Sequence, residues 1–124
     1  MRTIVDMVAE ARQKVRELSP AEVMAARDEG VLLVDIREPE EREATGVIPG
    51  AVFAPRGMLE FWADPTYPAH REEFDPSAPV VLYCASGGRS ALAAVALGEL
   101  GYQDVSHLEG GVKRWLEEGH ALEK

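Results

Sequence analysis

At 124 residues the chain has room for one domain with a real core and not for two, and its 46% apolar and 28% charged residues are those of an ordinary globular protein. A net charge of −9 argues against nucleic acid and anionic membrane as partners, and any anionic substrate must be drawn in by a local field against that of the whole molecule. No apolar run approaches the ~20 residues that span a bilayer, and Asp6, Glu10 and Arg12 break the opening stretch, so neither a transmembrane helix nor a signal peptide is expected and the cytoplasm is the default.

Between Thr3 and Glu17 there is no glycine or proline, and Ile4, Val8, Ala11, Val15 and Leu18 recur at spacings of four and three. That periodicity predicts an amphipathic helix, an extension over residues 1–16 ahead of a domain over 17–124. Its apolar stripe is expected to pack on its own domain or, as the sharper alternative, to pair with a second copy as a homodimer, and in neither case to take part in chemistry. Ser19-Pro20-Ala21-Glu22 is a capping box with proline at the first helical position, opening a helix through Glu29 that Gly30 stops. Val31-Leu32-Leu33-Val34 reads as a buried strand that delivers Asp35, Ile36 and Arg37 at its carboxyl end, where open α/β sheets place their ligands. Asp35 is expected to be a structural carboxylate, since an anion beside a thiolate would oppose its ionisation. Arg37 either pairs with a carboxylate or faces the site.

Pro39 to Glu43 predicts a short helix whose charges are solvated, ended by Gly46, and Ile48-Pro49-Gly50 turns into a short strand at 51–53. Residues 55–79 hold five prolines and four aromatics, with a helix expected over Arg56 to Trp62. A loop this long in a small domain reads as a lid over Cys84, with Arg56 as the cation at its rim.

Val80-Val81-Leu82-Tyr83 is an apolar run fit for a strand covered on both faces, and a helix follows from Ser90 with Leu92, Val95, Ala96 and Leu100 expected on its buried side. Val105 to Leu108 is a further strand, and Gly110-Gly111 leads into a last helix with Val112, Trp115 and Leu116 inward and Gly119 as its stop. His107 is expected to be a satisfied structural histidine. No two histidines have ligand spacing, and one cysteine forms neither a disulfide nor a thiolate cage, so no metal and no cofactor are expected. Strands alternating with helices imply an α/β fold with a mainly parallel sheet.

Cys84, the only cysteine, opens the loop Cys84-Ala85-Ser86-Gly87-Gly88-Arg89, set where a strand's carboxyl end meets a helix's amino end. At such a junction unpartnered N–H groups and the helix field form a cradle for an anion, and a thiol held there is favoured as the thiolate, the nucleophilic form. Glycines at 87 and 88 allow the backbone to close tightly around the sulfur.

Cysteine, four residues, then arginine after an apolar strand resembles the active-site loop of the rhodanese, or sulfurtransferase, family. Leu33-Val34-Asp35-Ile36-Arg37-Glu38 with Gly46-Val47-Ile48-Pro49-Gly50-Ala51 resembles its first signature, and Leu108-Glu109-Gly110-Gly111-Val112-Lys113-Arg114-Trp115 its closing segment. The matches run from about Leu18 to Gly119; Val47 stands where members commonly carry histidine. The resemblance implies a rhodanese-like fold with five strands and helices on both faces of the sheet. It also implies a sulfurtransferase in which Cys84 takes sulfur from thiosulfate or another persulfide donor and holds it as a persulfide against the amides of Ala85, Ser86, Gly87, Gly88 and Arg89. A thiol or cyanide acceptor then removes it. Arg89 would close the loop, bonded to Asp35 or a nearby acid. Two alternatives stand beside this: a sulfur-carrying or protein-interaction module with little turnover, and a phosphatase or arsenate reductase, whose wider loop needs five residues between cysteine and arginine.

Overall fold

The computed structural model describes all residues from 1 to 124. In chain order the elements are α1 (Ile4–Lys14), β1 (Arg16–Leu18), α2 (Pro20–Asp28), β2 (Leu32–Asp35), α3 (Pro39–Thr45), β3 (Val52–Phe53), a 3₁₀ turn at Arg56–Met58, α4 (Leu59–Ala63), β4 (Val80–Tyr83), α5 (Gly88–Leu100), β5 (Val105–Leu108) and α6 (Gly111–Glu117). The five strands form one all-parallel sheet in the order β1-β5-β4-β2-β3. The rhodanese-like α/β architecture expected from the signatures is therefore present, with β4 at its centre.

Side chains alternate along β4, and the alternation builds two cores. Val80, Leu82 and Cys84 join Val34, Leu59, Phe74, Ala93, Ala94 and Leu97 on the α4–α5 side. Val81 and Tyr83 join Leu18, Val23, Leu33, Leu108, Val112 and Trp115 on the α2–α6 side. α1 lies outside the first layer and packs on α5.

Several local expectations need correction. The first helix ends at Lys14, because Val15 is extended (φ −121°, ψ 158°) and Arg16–Leu18 pairs with β5. Leu18 thus belongs to the core of the opposite face, and Ile4, expected in the apolar stripe, is exposed. Helical periodicity runs through Leu18 by coincidence; the pairing that overrides it comes from residues 106–108. In α5 the sheet is met by Ser90, Ala93, Ala94 and Leu97, small residues that bring the helix close. Leu92, Val95 and Ala96 are only half-buried and line a groove shared with Met7 and Ala11 of α1. Leu116, expected inward, is 47% exposed, while Val112 and Trp115 carry the inner face of α6. No helix is long and apolar enough to cross a membrane.

Candidate active site

Cys84 follows the last residue of the central strand and is 1% exposed. Its Sγ accepts the Gly87 N–H at 3.2 Å and the Ser90 N–H at 3.4 Å, so the first amides of α5 converge on the sulfur. Gly87 makes this possible twice over. Its φ of +105° is one that side chains rarely adopt, and an added Cβ would sit 3.2 Å from the Gly110 nitrogen.

The loop is also held from behind. Val112 N–H donates to the Cys84 carbonyl and Lys113 N–H to the Ala85 carbonyl, both at 3.0 Å, so the first turn of α6 takes the loop's oxygens while α5 offers its amides to the sulfur. Gly111 is the contact point: its φ is +61°, and a Cβ there would lie 2.6 Å from Cys84 O and from Ala85 C and O. Gly111→Ala is expected to cost about 2–4 kcal/mol of stability and to displace the loop, as seen in a lower urea midpoint and an altered rate of Cys84 alkylation.

Arg89 does not turn toward the sulfur. Its two terminal nitrogens donate to the two Glu41 carboxylate oxygens, each at 2.8 Å, which ties the start of α5 to α3. Glu41, whose charge the sequence alone places in a solvated run, thus becomes the acid that closes the loop. The Arg89 bonds are the main cause of a Glu41 pKa lowered from 4.5 to about 2. A carboxylate depressed on folding stabilises above its unfolded value and loses that contribution as pH falls through the folded one. Wild type should therefore lose stability between pH 4.5 and about 2 in part through this pair, and Glu41→Gln should flatten that stretch of the thermal-denaturation profile.

Asp35 and Arg37 are neighbours of each other and not of the sulfur. The Asp35 carboxylate, 0% exposed, accepts from Arg37 Nε at 3.0 Å and Nη2 at 2.8 Å, from the Arg37 N–H at 3.0 Å, from Arg42 Nε at 3.2 Å and from Tyr83 OH at 3.0 Å. Arg37 also donates to Thr45 Oγ1 and to the Gly46 carbonyl, both at 2.8 Å. Burial opposes the Arg37 charge, but the Asp35 bonds outweigh it and its pKa is raised. Asp35 is therefore the structural carboxylate its position suggests, and Arg37 pairs with it. Tyr83 extends the tie by accepting the Ile48 N–H at 3.1 Å.

Arg56 forms an ion pair with Glu60 at 2.6 Å and lines the groove between α1 and α5. Within residues 55–79, Leu59, Ala63 and Phe74 are buried in the α5-side core that also holds Cys84, and Phe61 packs edge-on against Tyr67 at 5.3 Å. Val8 and Arg12 of α1 stand over the loop. With Glu17, Ser86, Gly87, Gly88, His107, Glu109 and Gly110 they line a cavity of about 260 Å³, and Val8 Cγ2 lies 3.7 Å from where a Gly88 Cβ would be. The helix set aside as remote from the chemistry reaches the site through the fold. Larger hollows exist, such as one of about 390 Å³ lined by Arg16, Ala26 and Val81, but no residue of the 84–89 loop lines them.

Two residues at the site carry no signal in the sequence that marks them. Ser90 Oγ lies 3.5 Å from Cys84 Sγ and 2.8 Å from His107 Nδ1, and His107 Nε2 is 3.1 Å from Glu17 Oε2. His107 is buried with both ring nitrogens satisfied, as a structural histidine would be, yet one of them leads to the cysteine.

A cysteine at the carboxyl end of the central parallel strand, its sulfur accepting two N–H groups at the start of the following helix, defines an α/β domain built around a buried cysteine loop. The chain belongs to the rhodanese-like domain family, whose model matches residues 19–118. A sulfurtransferase of Allochromatium vinosum is 39% identical over 94 residues, covering 76% of this chain and 79% of the relative. A thiosulfate sulfurtransferase GlpE of Pseudomonas entomophila is 33% identical over 100 residues, covering 81% of this chain and 84% of the relative. Among solved structures, a Rhodopseudomonas palustris protein of unknown function, described as a possible tyrosine phosphatase, superposes with a TM-score of 0.92 at 41% identity, over 99% of this chain and 96% of that one.

Proposed function

We propose that the protein moves sulfane sulfur from thiosulfate or a persulfide donor to a thiol or cyanide acceptor, with Cys84 as the carrier. The observation that carries this reading is the pair of amides, from Gly87 and Ser90, aimed at a single buried sulfur. The thiolate attacks the outer sulfur of the donor, a sulfur–sulfur bond forms, and sulfite leaves with the electron pair of the bond that breaks. The outer sulfur, left on Cys84, sits among the amides of residues 85–89 until the acceptor attacks it and the thiolate departs, which makes the kinetics ping-pong. No cofactor takes part, and the reaction fits a cytoplasmic setting. The sulfurtransferase relatives support the same class of chemistry. Incubation with thiosulfate alone should add the mass of one sulfur atom, and cyanide or thiol should then remove it. An unmodified mass from fully reduced protein, after several sulfur donors, would favour the low-turnover module instead.

The solved relative described as a possible tyrosine phosphatase keeps that reading in view. Two features oppose it here: only four residues separate Cys84 from Arg89, and Arg89 is engaged by Glu41 in place of an oxyanion. Hydrolysis of p-nitrophenyl phosphate that depends on Cys84 would reverse this choice.

The outward face of α1 supports a homodimer as the state in solution. Ile4 is 62% and Val5 73% exposed, adjacent apolar side chains at the outer end of the helix. Val5→Glu should shift light scattering from dimer to monomer mass, and a monomeric wild type would remove the proposal.

A further inference from the structure

We infer that Ser90, His107 and Glu17 form a proton relay that takes the Cys84 proton out of the buried loop and stabilises the thiolate as half of an ion pair. The inference rests on the reading of Cys84 as the nucleophile. It answers a difficulty in that reading: a thiol that is 1% exposed has no direct route for its proton to water.

The distances give the relay a direction. Glu17 is a carboxylate 3.1 Å from His107 Nε2, so that nitrogen carries the hydrogen and Nδ1 is left to accept. Ser90 Oγ, 2.8 Å from Nδ1, donates to it in preference to the Gly87 carbonyl at 3.3 Å. The hydroxyl oxygen is then free to accept from Cys84 S–H across 3.5 Å, within the reach of a sulfur donor. On ionisation the S–H bond breaks and its proton passes to Ser90 Oγ, while the serine proton passes to His107 Nδ1. The products are a thiolate receiving the Ser90 hydroxyl and an imidazolium held by Glu17. Charge is conserved, and no oxidant or reductant is required.

The groups around His107 suit this role. It sits in β5 and is faced by Ser90 from α5, by Glu17 from β1, by Arg12 from α1, and by Glu109 just after its own strand. Burial lowers its pKa, which keeps the ring neutral and able to accept at neutral pH; Glu17 and Glu109 work in the opposite direction and favour the imidazolium once it forms, while Arg12 opposes it. Arg12 is in turn bonded to Glu17, at 2.8 Å and 3.2 Å, and so orients, at the wall of the cavity, the carboxylate that holds the imidazolium. Strand register places the pair: Glu17 stands opposite His107 in the β1–β5 ladder. Ser90 touches the reacting sulfur, whereas His107 and Glu17 act through it as positioning residues.

The test needs no sulfur donor, so its failure is distinct from a failure of the sulfur-transfer reading. The rate of Cys84 alkylation by iodoacetamide is followed against pH in wild type, Ser90→Ala and His107→Gln. Both variants should shift the profile to higher pH by about one unit or more, because each removes support for the thiolate. Ser90→Thr, which keeps the hydroxyl, should return it toward wild type. In the reverse direction, the His107 titration read by nuclear magnetic resonance should move to lower pH in Cys84→Ser, which deletes the thiolate partner. If His107→Gln fails to fold, the resonance measurement decides alone. Folded variants with the wild-type alkylation profile, or a His107 titration unchanged by loss of the thiol, overturn the relay.

Discussion

Cys84→Ser is expected to abolish sulfur transfer while leaving the fold in place. The hydroxyl is nearly isosteric with the thiol, so the core around Leu82, Ala93 and Ala94 loses little packing, and the Gly87 and Ser90 amides still find an oxygen to bond. A hydroxyl, however, stays protonated in this cradle and cannot hold sulfane sulfur, so turnover and the sulfur mass addition should both disappear. Near-wild-type thiosulfate:cyanide turnover by the folded variant would defeat the assignment of Cys84.

The largest effect on stability is expected from Asp35→Ala. It strips a carboxylate that receives Arg37, Arg42 and Tyr83, and leaves the Arg37 guanidinium, 1% exposed, without its counter-charge. Removing one partner of a buried pair costs about 3–5 kcal/mol, since the surviving charge stays desolvated. A double change, Asp35→Ala with Arg37→Met, should cost less than the single one, because no charge is then stranded. Urea unfolding of both variants checks this. A single variant within about 1 kcal/mol of wild type would show that water reaches Arg37 and that the pair is worth little.

What the sequence discloses about the site follows from how local each feature is. Although the α6 amides that hold it from behind come from a distant stretch, the cysteine loop is legible because its strand, its glycines and its helix start are contiguous. The same holds for the Ser19–Glu22 capping box, which the structure forms as expected. Glu41 is hidden because its partner Arg89 lies 48 positions away, the same separation that joins Tyr83 to Asp35. Ser90 and His107 have ordinary neighbours in the chain, and only the packing of α5 on β5 brings them together. Arg56 shows the converse: a cation is expected somewhere near an anion site, but charge balance does not say which arginine, and Glu60 one turn away pairs with this one.

The edge strand has a consequence for how the molecule comes into being. β1 pairs with β5 across almost the whole chain, and Glu17 and His107 are 90 positions apart. During synthesis the amino-terminal strand must wait, unpaired, while β2, β3 and β4 assemble from segments made in between, because long-range pairing bears its loop-closure entropy before any contact rewards it. The cysteine cradle waits as well: the first turn of α6 takes its carbonyls and Gly110 packs against Gly87, so neither it nor the Glu17–His107 contact is complete until the carboxyl-terminal fifth of the chain has emerged. A nascent chain arrested before β5 would carry Cys84 without His107 and without the α6 amides that hold its loop. On this folding order the site is the last part of the molecule to be completed.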